Sequence, residues 1–358
     1  MGVLGCIAQG GSRMSDSLVE QVAKQAELQE KRKNALLKFP ISRVGSLELH
    51  SPVWLARDFL EVGALGMVFG ESGAGKSFLV IDLGLCVAAG LDWHGRTVEK
   101  GIVIYICGEG RSGVLRRVNA WAKARKVDIS QIPFYLTAGA VNLNDPGTME
   151  MVRLAIDAIS IEAGPPVLII VDTWAANLGG DENSTPESTA GVVALQALRA
   201  PFGAAGIVVH HVGVADKKRA RGSSALKASM DMEFLVEHGE DQIVRVVNTK
   251  SKDCEPPEPI AFTLDQVDLG LVDDSGRPVQ SAVLNTCEYE PEAPRENYSD
   301  KRTTSDPILL ALKKATDGLS VHTLNYMTGK EENTIRAALS RLSSKGLVEK
   351  REEKWFLK

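Results

Sequence analysis

An α/β fold, with a mostly parallel sheet covered by helices on both faces, is predicted by three observations. Several short segments, such as GIVIYIC at 101–107 and VLIIV at 167–171, are apolar along their whole length rather than alternating. Stretches of helical length separate them, and a glycine-rich turn joins the run at 64–69 directly to an apolar helix. Strands apolar throughout are buried on both faces, which is the condition of a parallel sheet between helical layers. The chain of 358 residues, 44% hydrophobic and 24% charged, suffices for one large core domain with smaller attachments.

Taken in order, residues 1–40 read as a leader followed by a helical arm. The start MGVLGCIAQGGSRM has neither a charged beginning nor an apolar core, so it does not read as a signal peptide. Residues 1–13 read as a leader without structure. Residues 15–38 are charged and helix-prone with weak apolar periodicity, fitting either a solvated helix or an arm that packs on a neighbouring subunit. The main domain is expected over 41–285. Its predicted strands are 64–69, 101–107, 167–171 and 207–210, with helices over 77–89, 114–124, 149–163 and 186–201. Beyond Met232 the runs MEFLVE, QIVRVVN and IAFTL follow one another without helices, which predicts an antiparallel extension of the sheet. Residues 286–304 are polar and rich in Pro and Glu, a linker. Residues 305–358 read helix, helix, helix and hairpin, with Ile335, Leu339 and Leu342 on one face of the third helix, the pattern of a winged helix-turn-helix.

Composition excludes several classes. No stretch approaches the roughly 18 apolar residues of a membrane span. The five cysteines include no C-x-x-C pair, which fits reduced thiols in a cytoplasmic protein better than zinc or disulfides. A net charge of −5 argues against a uniformly basic DNA coat but leaves room for a ring with a basic inner surface.

The chemistry begins at Gly70, Glu71, Ser72, Gly73, Ala74, Gly75, Lys76 and Ser77, which match G-x-x-x-x-G-K-[ST] between a predicted strand and a helix. Glycines let the backbone curl so that its N–H groups face phosphates, and the helix N-terminus favours the same charge. Lys76 would reach the phosphates of ATP, Ser77 would ligate Mg²⁺, and Phe78 completes the nucleotide-binding stretch. Asp172 ends the run VLIIVD and suits the Walker B carboxylate that holds Mg²⁺ through water, or else simply caps the following turn. Thr173 and Trp174 follow it, so a catalytic base must come from elsewhere. Glu109, 33 residues after Lys76 in YICGEG, is the candidate, on a strand expected next to the P-loop strand and able to polarise the attacking water. His210 and His211 end GIVVHH. No third ligand is spaced to make them a metal site, so His211 reads as a sensor of the terminal phosphate or as an ordinary core or surface histidine.

The stretches GESGAGKSF, VIYICGEG with GVLRRVNAW, IIVDTWAANLGGDENS, VVHHVG, RGSSALKASMDMEF and NTKSKD together resemble the plasmid RepA-type hexameric replicative helicases and related phage and plasmid AAA-family ATPases of the RecA-like class. The resemblance spans residues 54–264 and implies a RecA-like P-loop core with Glu109 as base and His211 as sensor. Such rings complete each site with a cation from the neighbouring subunit. Lys250 and Lys252 occupy the corresponding place, as point charges where many relatives have an arginine's planar fork. Two loops, 174–189 and 212–224, would face a central axis along which single-stranded DNA runs, the second offering Lys217, Lys218, Arg219 and Arg221.

The last 58 residues carry 12 Lys and Arg against 7 Asp and Glu. A winged helix there would present Arg336 and Arg341, with Lys330, Asn333 and Thr334, to duplex DNA, or would dock on a protein such as an initiator. The function expected is an ATP-driven single-stranded DNA translocase or helicase serving a phage or mobile element. A recombinase-like filament and a nucleotide-gated DNA-binding regulator are the competing readings.

Overall fold

A computed structural model describes residues 16–38, 41–49, 51–213, 216–290, 306–315, 317–344 and 346–357. The leader expected over 1–13 and residues 291–304 of the expected linker lie outside them. The chain divides into two units, residues 1–53 and 54–358. The first carries helix α1 (Asp16–Lys38), on which Lys31 pairs with Glu27 one turn back at 2.7 Å. A 3-10 turn at Val44–Ser46 follows, in a stretch that leaves Ile41, Val44 and Leu49 exposed.

The second unit opens with an antiparallel pair, β1 (Trp54–Ala56) and β2 (Leu60–Glu61). Next come β3 (Leu65–Gly70), α2 (Lys76–Ala89), β4 (Ile102–Cys107), α3 (Arg111–Arg125), β5 (Phe134–Leu136), α4 (Pro146–Ala163) and β6 (Pro166–Asp172). The chain continues through α5 (Trp174–Leu178), α6 (Thr185–Arg199), β7 (Ala205–His211), α7 (Ser224–Ser229), β8 (Met232–His238), β9 (Val244–Ser251), β10 (Ile260–Val272) and β11 (Pro278–Cys287). One nine-stranded sheet runs in the order β11-β10-β9-β8-β3-β7-β6-β4-β5. It is parallel from β8 through β5 and antiparallel from β8 outward to β11. The predicted extension is therefore antiparallel only from β9 on. The run MEFLVE is itself a parallel neighbour of β3, because the short helix α7 returns the chain to the starting edge before β8 begins.

The uniform apolarity of the inner strands has its expected cause. Successive residues point to opposite faces. Val103, Tyr105, Leu168, Ile170, Ile207 and Val209 join the core under α2 and α3, while Ile104, Ile106, Ile169, Val171 and Val208 join the core on the other face. On the first face a buried carboxylate fastens the layers. Asp82 of α2 accepts hydrogen bonds from Trp93 Nε1 (2.8 Å) and Trp121 Nε1 of α3 (2.9 Å) and pairs with His94 Nε2 at 2.7 Å. The other imidazole nitrogen of His94 meets Thr286 Oγ1 of β11 at 2.7 Å. A buried charge with this many polar partners is satisfied rather than stranded.

Further along, α8 (Asp306–Lys314), α9 (Val321–Thr328), α10 (Glu332–Ser344) and the hairpin β12 (Val348–Arg351) with β13 (Lys354–Leu357) enclose a separate small core. Ile335, Ala338, Leu339 and Leu342 are its buried residues on α10, at the spacing of one helix face. Among the described residues no helix is long and apolar enough to cross a membrane.

Candidate active site

The parallel strands β3, β7, β6 and β4 all end at one edge of the sheet, β6 and β4 two residues short of β3 and β7. Gly70 pairs with His211, Asp172 with Val209, and Cys107 with Asp172. Beyond these tips lies a cavity of about 430 Å³. The P-loop owes its shape to two glycines. A Cβ on Gly70 would sit 2.2 Å from the Val236 carbonyl oxygen of β8, and Gly75 has φ +98°. Helix α2 starts at Gly75 without a side-chain cap, and α3 starts likewise at Gly110. By contrast, Asp145 caps α4 by accepting from Thr148 N at 2.7 Å, and Ser184 caps α6. Both uncapped N-termini border the cavity, so two sets of unpaired N–H groups and two dipole ends favour an anion there.

Lys76 is buried, and its Nζ donates to the carbonyl oxygens of Gly70 (2.9 Å) and Glu71 (2.6 Å). Burial lowers its pKa to about 8, against the opposing pull of Asp172 and Glu71. Ser72, Gly73, Gly75, Ser77 and Phe78 line the cavity with it. Gly70, Glu71 and Ala74 do not: Gly70 shapes the turn, Ala74 is buried in the core, and Glu71 turns outward to an ion pair with Lys217 at 2.6 Å. The guanidinium of Arg117 stacks on the Phe78 ring at 4.6 Å, and Arg116 lines the same cavity.

Asp172 is buried at the tip of β6 and faces the cavity. Its Oδ2 accepts a hydrogen bond from the fully buried Tyr105 hydroxyl. Among the described residues no group of three or more His, Cys, Asp or Glu could hold a metal ion. Magnesium needs no such group, because it keeps waters and substrate oxygens and takes only one or two protein ligands. The Asp172 carboxylate and the Ser77 hydroxyl on one cavity fit that donor set.

Glu109 lies just past the tip of β4, exposed on the cavity wall. The expectation that its strand adjoins the P-loop strand is overturned, since β6 and β7 stand between β4 and β3. Glu109 still reaches the cavity because all four strands finish at one edge. His211 also lines the cavity, its pKa lowered by burial and then by Lys76 and Arg221. His210 is fully buried, with Nε2 at 2.9 Å from the Arg221 carbonyl oxygen, and burial pulls its pKa down to about 4.

The expected loop 174–189 is shorter than its sequence suggests. Its first five residues form α5, with Trp174 wholly inside the core, and α6 begins at Thr185. The second loop folds back on β7, Arg221 N donating to His211 O at 2.9 Å. Lys217 pairs with Glu71, Arg221 pairs with Glu182 of the first loop, and Lys218 and Arg219 are exposed without an ion-pair partner among the described residues. Lys250 and Lys252 lie at the opposite end of the sheet, at the level of Glu233 and just before Met232. Lys250 Nζ donates to the Lys227 carbonyl oxygen (2.6 Å), and Lys252 pairs with Asp231 (2.9 Å). On α10, Arg336 pairs with Glu332 one turn earlier at 3.1 Å, and Arg341 is exposed.

Tyr105, Arg116, Arg117 and the N-terminus of α3 were not singled out by sequence reasoning. A tyrosine inside an otherwise apolar strand was the one available signal, because a buried phenol needs a hydrogen-bond partner.

No curated protein matches the sequence. Among solved structures, the "ATPase Domain of G40P" matches with 13% identity over 56% of this chain and 81% of that one, at a TM-score of 0.43, too remote to add to the topology. A family model described as "AAA domain" matches residues 30–217. That match covers more than half of the chain and includes the P-loop, Glu109, Asp172 and His211, so the protein belongs to the AAA domain family of P-loop ATPases.

Proposed function

We propose that this ATPase forms a homohexameric ring that uses ATP hydrolysis to translocate along single-stranded DNA, or as a helicase to unwind duplex DNA, during replication of a phage, plasmid or integrated element. The observation that carries this reading is the continuity of β7. Its tip places His211 on the nucleotide cavity, and the same chain runs on into the basic loop of Lys217 to Arg221. A change at the phosphate end thus has one short covalent path to the loop. Lys218 and Arg219 are the loop cations free of internal ion pairs among the described residues, and they are the ones suited to DNA phosphates.

In this reading Lys76 binds the phosphates, Ser77 and Asp172 hold Mg²⁺, Glu109 polarises the attacking water and His211 senses the terminal phosphate. Lys250 and Lys252, remote from this chain's own P-loop, serve the site of a neighbouring copy. Support for an assembly comes from α4, where Met151, Leu154 and Ile161 are exposed, and from Val193 on the adjoining α6. Apolar groups on neighbouring helices favour a protein partner. The three helices and hairpin of residues 306–357 are read as a winged helix, with α10 turning Asn333, Arg336 and Arg341 outward to duplex DNA or an initiator protein.

The test is ATP hydrolysis with and without single-stranded DNA over a salt series. Stimulation that fades with salt is expected. Hydrolysis indifferent to DNA overturns the translocase reading in favour of a nucleotide-gated regulator, and filaments rather than rings in negative-stain images would move it to a recombinase-like ATPase.

A further inference from the structure

Strand β4 holds the Asp172 residue of its neighbour β6 twice. Gly108 N donates to the Asp172 main-chain oxygen at 2.6 Å, and the Tyr105 hydroxyl donates to the carboxylate oxygen Oδ2. Tyr105 is wholly buried, opposite Ile170 in the sheet, with its ring 5.7 Å from that of Phe134. Its ring belongs to the core under α2, and only its oxygen reaches the edge of the site. Among the described residues Tyr105 is the side chain that hydrogen-bonds the Asp172 carboxylate, through Oδ2. A short side chain at a strand end has several rotamers open to it, and one hydrogen bond from a ring packed in the core selects among them.

We propose that Tyr105 is a positioning residue for the metal-binding carboxylate: its hydroxyl ties one oxygen of Asp172, holds the other toward the cavity, and so sets the affinity of the site for a divalent cation. This rests on the reading of Asp172 as the Mg²⁺ carboxylate. Partners that orient a ligand without touching the metal commonly contribute 10–100-fold to metal affinity.

Tyr105→Phe in the full chain keeps the ring and removes the hydroxyl. The measurement is Mn²⁺ binding to the ADP-loaded protein by electron paramagnetic resonance, beside calorimetric ADP binding in excess chelator. Mn²⁺ affinity is expected to fall about 10–100-fold, while metal-free ADP binding stays at the wild-type level and turnover recovers at high Mg²⁺. Wild-type Mn²⁺ affinity in Tyr105→Phe overturns the proposal, as does a parallel loss of metal-free binding, which would mark a purely structural tyrosine. Asp172→Asn measured alongside separates the two levels. If it also leaves Mn²⁺ affinity unchanged, the site reading itself fails. Should Tyr105→Phe not fold, 3-fluorotyrosine incorporated at position 105 gives the answer by ¹⁹F resonance. Its signal must move when Mg²⁺ is added to the ADP complex and stay still in the Asp172→Asn background; a signal that ignores Mg²⁺ in both overturns the role.

Discussion

Cations stand at both ends of the central sheet, in opposite condition. Where β3, β7, β6 and β4 finish, Lys76, Arg116 and Arg117 border a cavity into which two uncapped helix N-termini also open. Near the other end, Lys252 lies 2.9 Å from Asp231, while Lys227 and Lys250 lie 3.4 and 3.8 Å from the fully buried Glu233. The same residue type is left open to a ligand where the fold withholds a full counter-charge and is structural where the fold supplies it. Lys76 shows the first case: burial holds its pKa down to about 8, a penalty that an arriving polyphosphate relieves. Lys252 shows the second, and any service to a neighbouring copy requires leaving Asp231.

The contrast is broken or sharpened most strongly at Lys76. Lys76→Ala is expected to abolish turnover and most ATP binding, read by phosphate release and by titration with a fluorescent nucleotide. Near-normal turnover would mean the cavity is not the nucleotide site. Next in size, Glu109→Gln keeps ATP binding and lowers hydrolysis by about 10²–10⁴-fold, the usual contribution of a general base; unchanged hydrolysis removes Glu109 from that role. A smaller effect is expected at the other end. Lys252→Ala loses an exposed pair worth about 0.2–1 kcal/mol to folding, yet lowers the turnover of mixed assemblies below the value interpolated from their composition. Strict proportionality would confine Lys252 to its own subunit.

The mildest expectation is a proton count. Burial holds the pKa of Lys76 down to about 8, below the usual lysine range, so nucleotide binding at this cavity is expected to restore its proton only above that pH. Calorimetry in buffers of different ionisation heat should show proton uptake on ATP binding at pH 8.5, where ATP itself no longer titrates, and none attributable to Lys76 at pH 6.5. The same shift acts on folding with a definite sign. The unfolded chain binds more protons between about pH 8 and 10.5, so this lysine's penalty on stability lessens as pH rises through that window.

What the sequence made legible was local. The P-loop is a contiguous run whose glycines are demanded by a close approach and a positive φ, and Asp172 closes an apolar strand; both are readable along the chain. Strand order is not. Glu109 suggested a strand beside the P-loop, yet two strands lie between, because order is set by where helices return the chain rather than by succession. β8 looked like the start of an antiparallel run, since its crossover ends in a helix, α7, of only six residues. The acidic, Gly-rich look of 174–189 hid Trp174, whose indole fills the core. Tyr105, Arg116 and Arg117 depend on what stands opposite them in space, which spacing alone does not carry.

The fastener at Asp82 has a consequence for how the molecule opens. One carboxylate ties Trp93 and Trp121, and through His94 and the exposed Thr286 it reaches β11, so the P-loop helix, the arginine-bearing helix α3 and the outermost strand share one knot centred on the buried Asp82. Such elements cannot fray one at a time. Their amides should exchange with solvent as one cooperative unit, with a common opening free energy, while the loop of Lys218 and Arg219 exchanges independently and far sooner. On the proposed reading, the ATPase grips its nucleotide with a rigid block and meets DNA with the part that opens most easily.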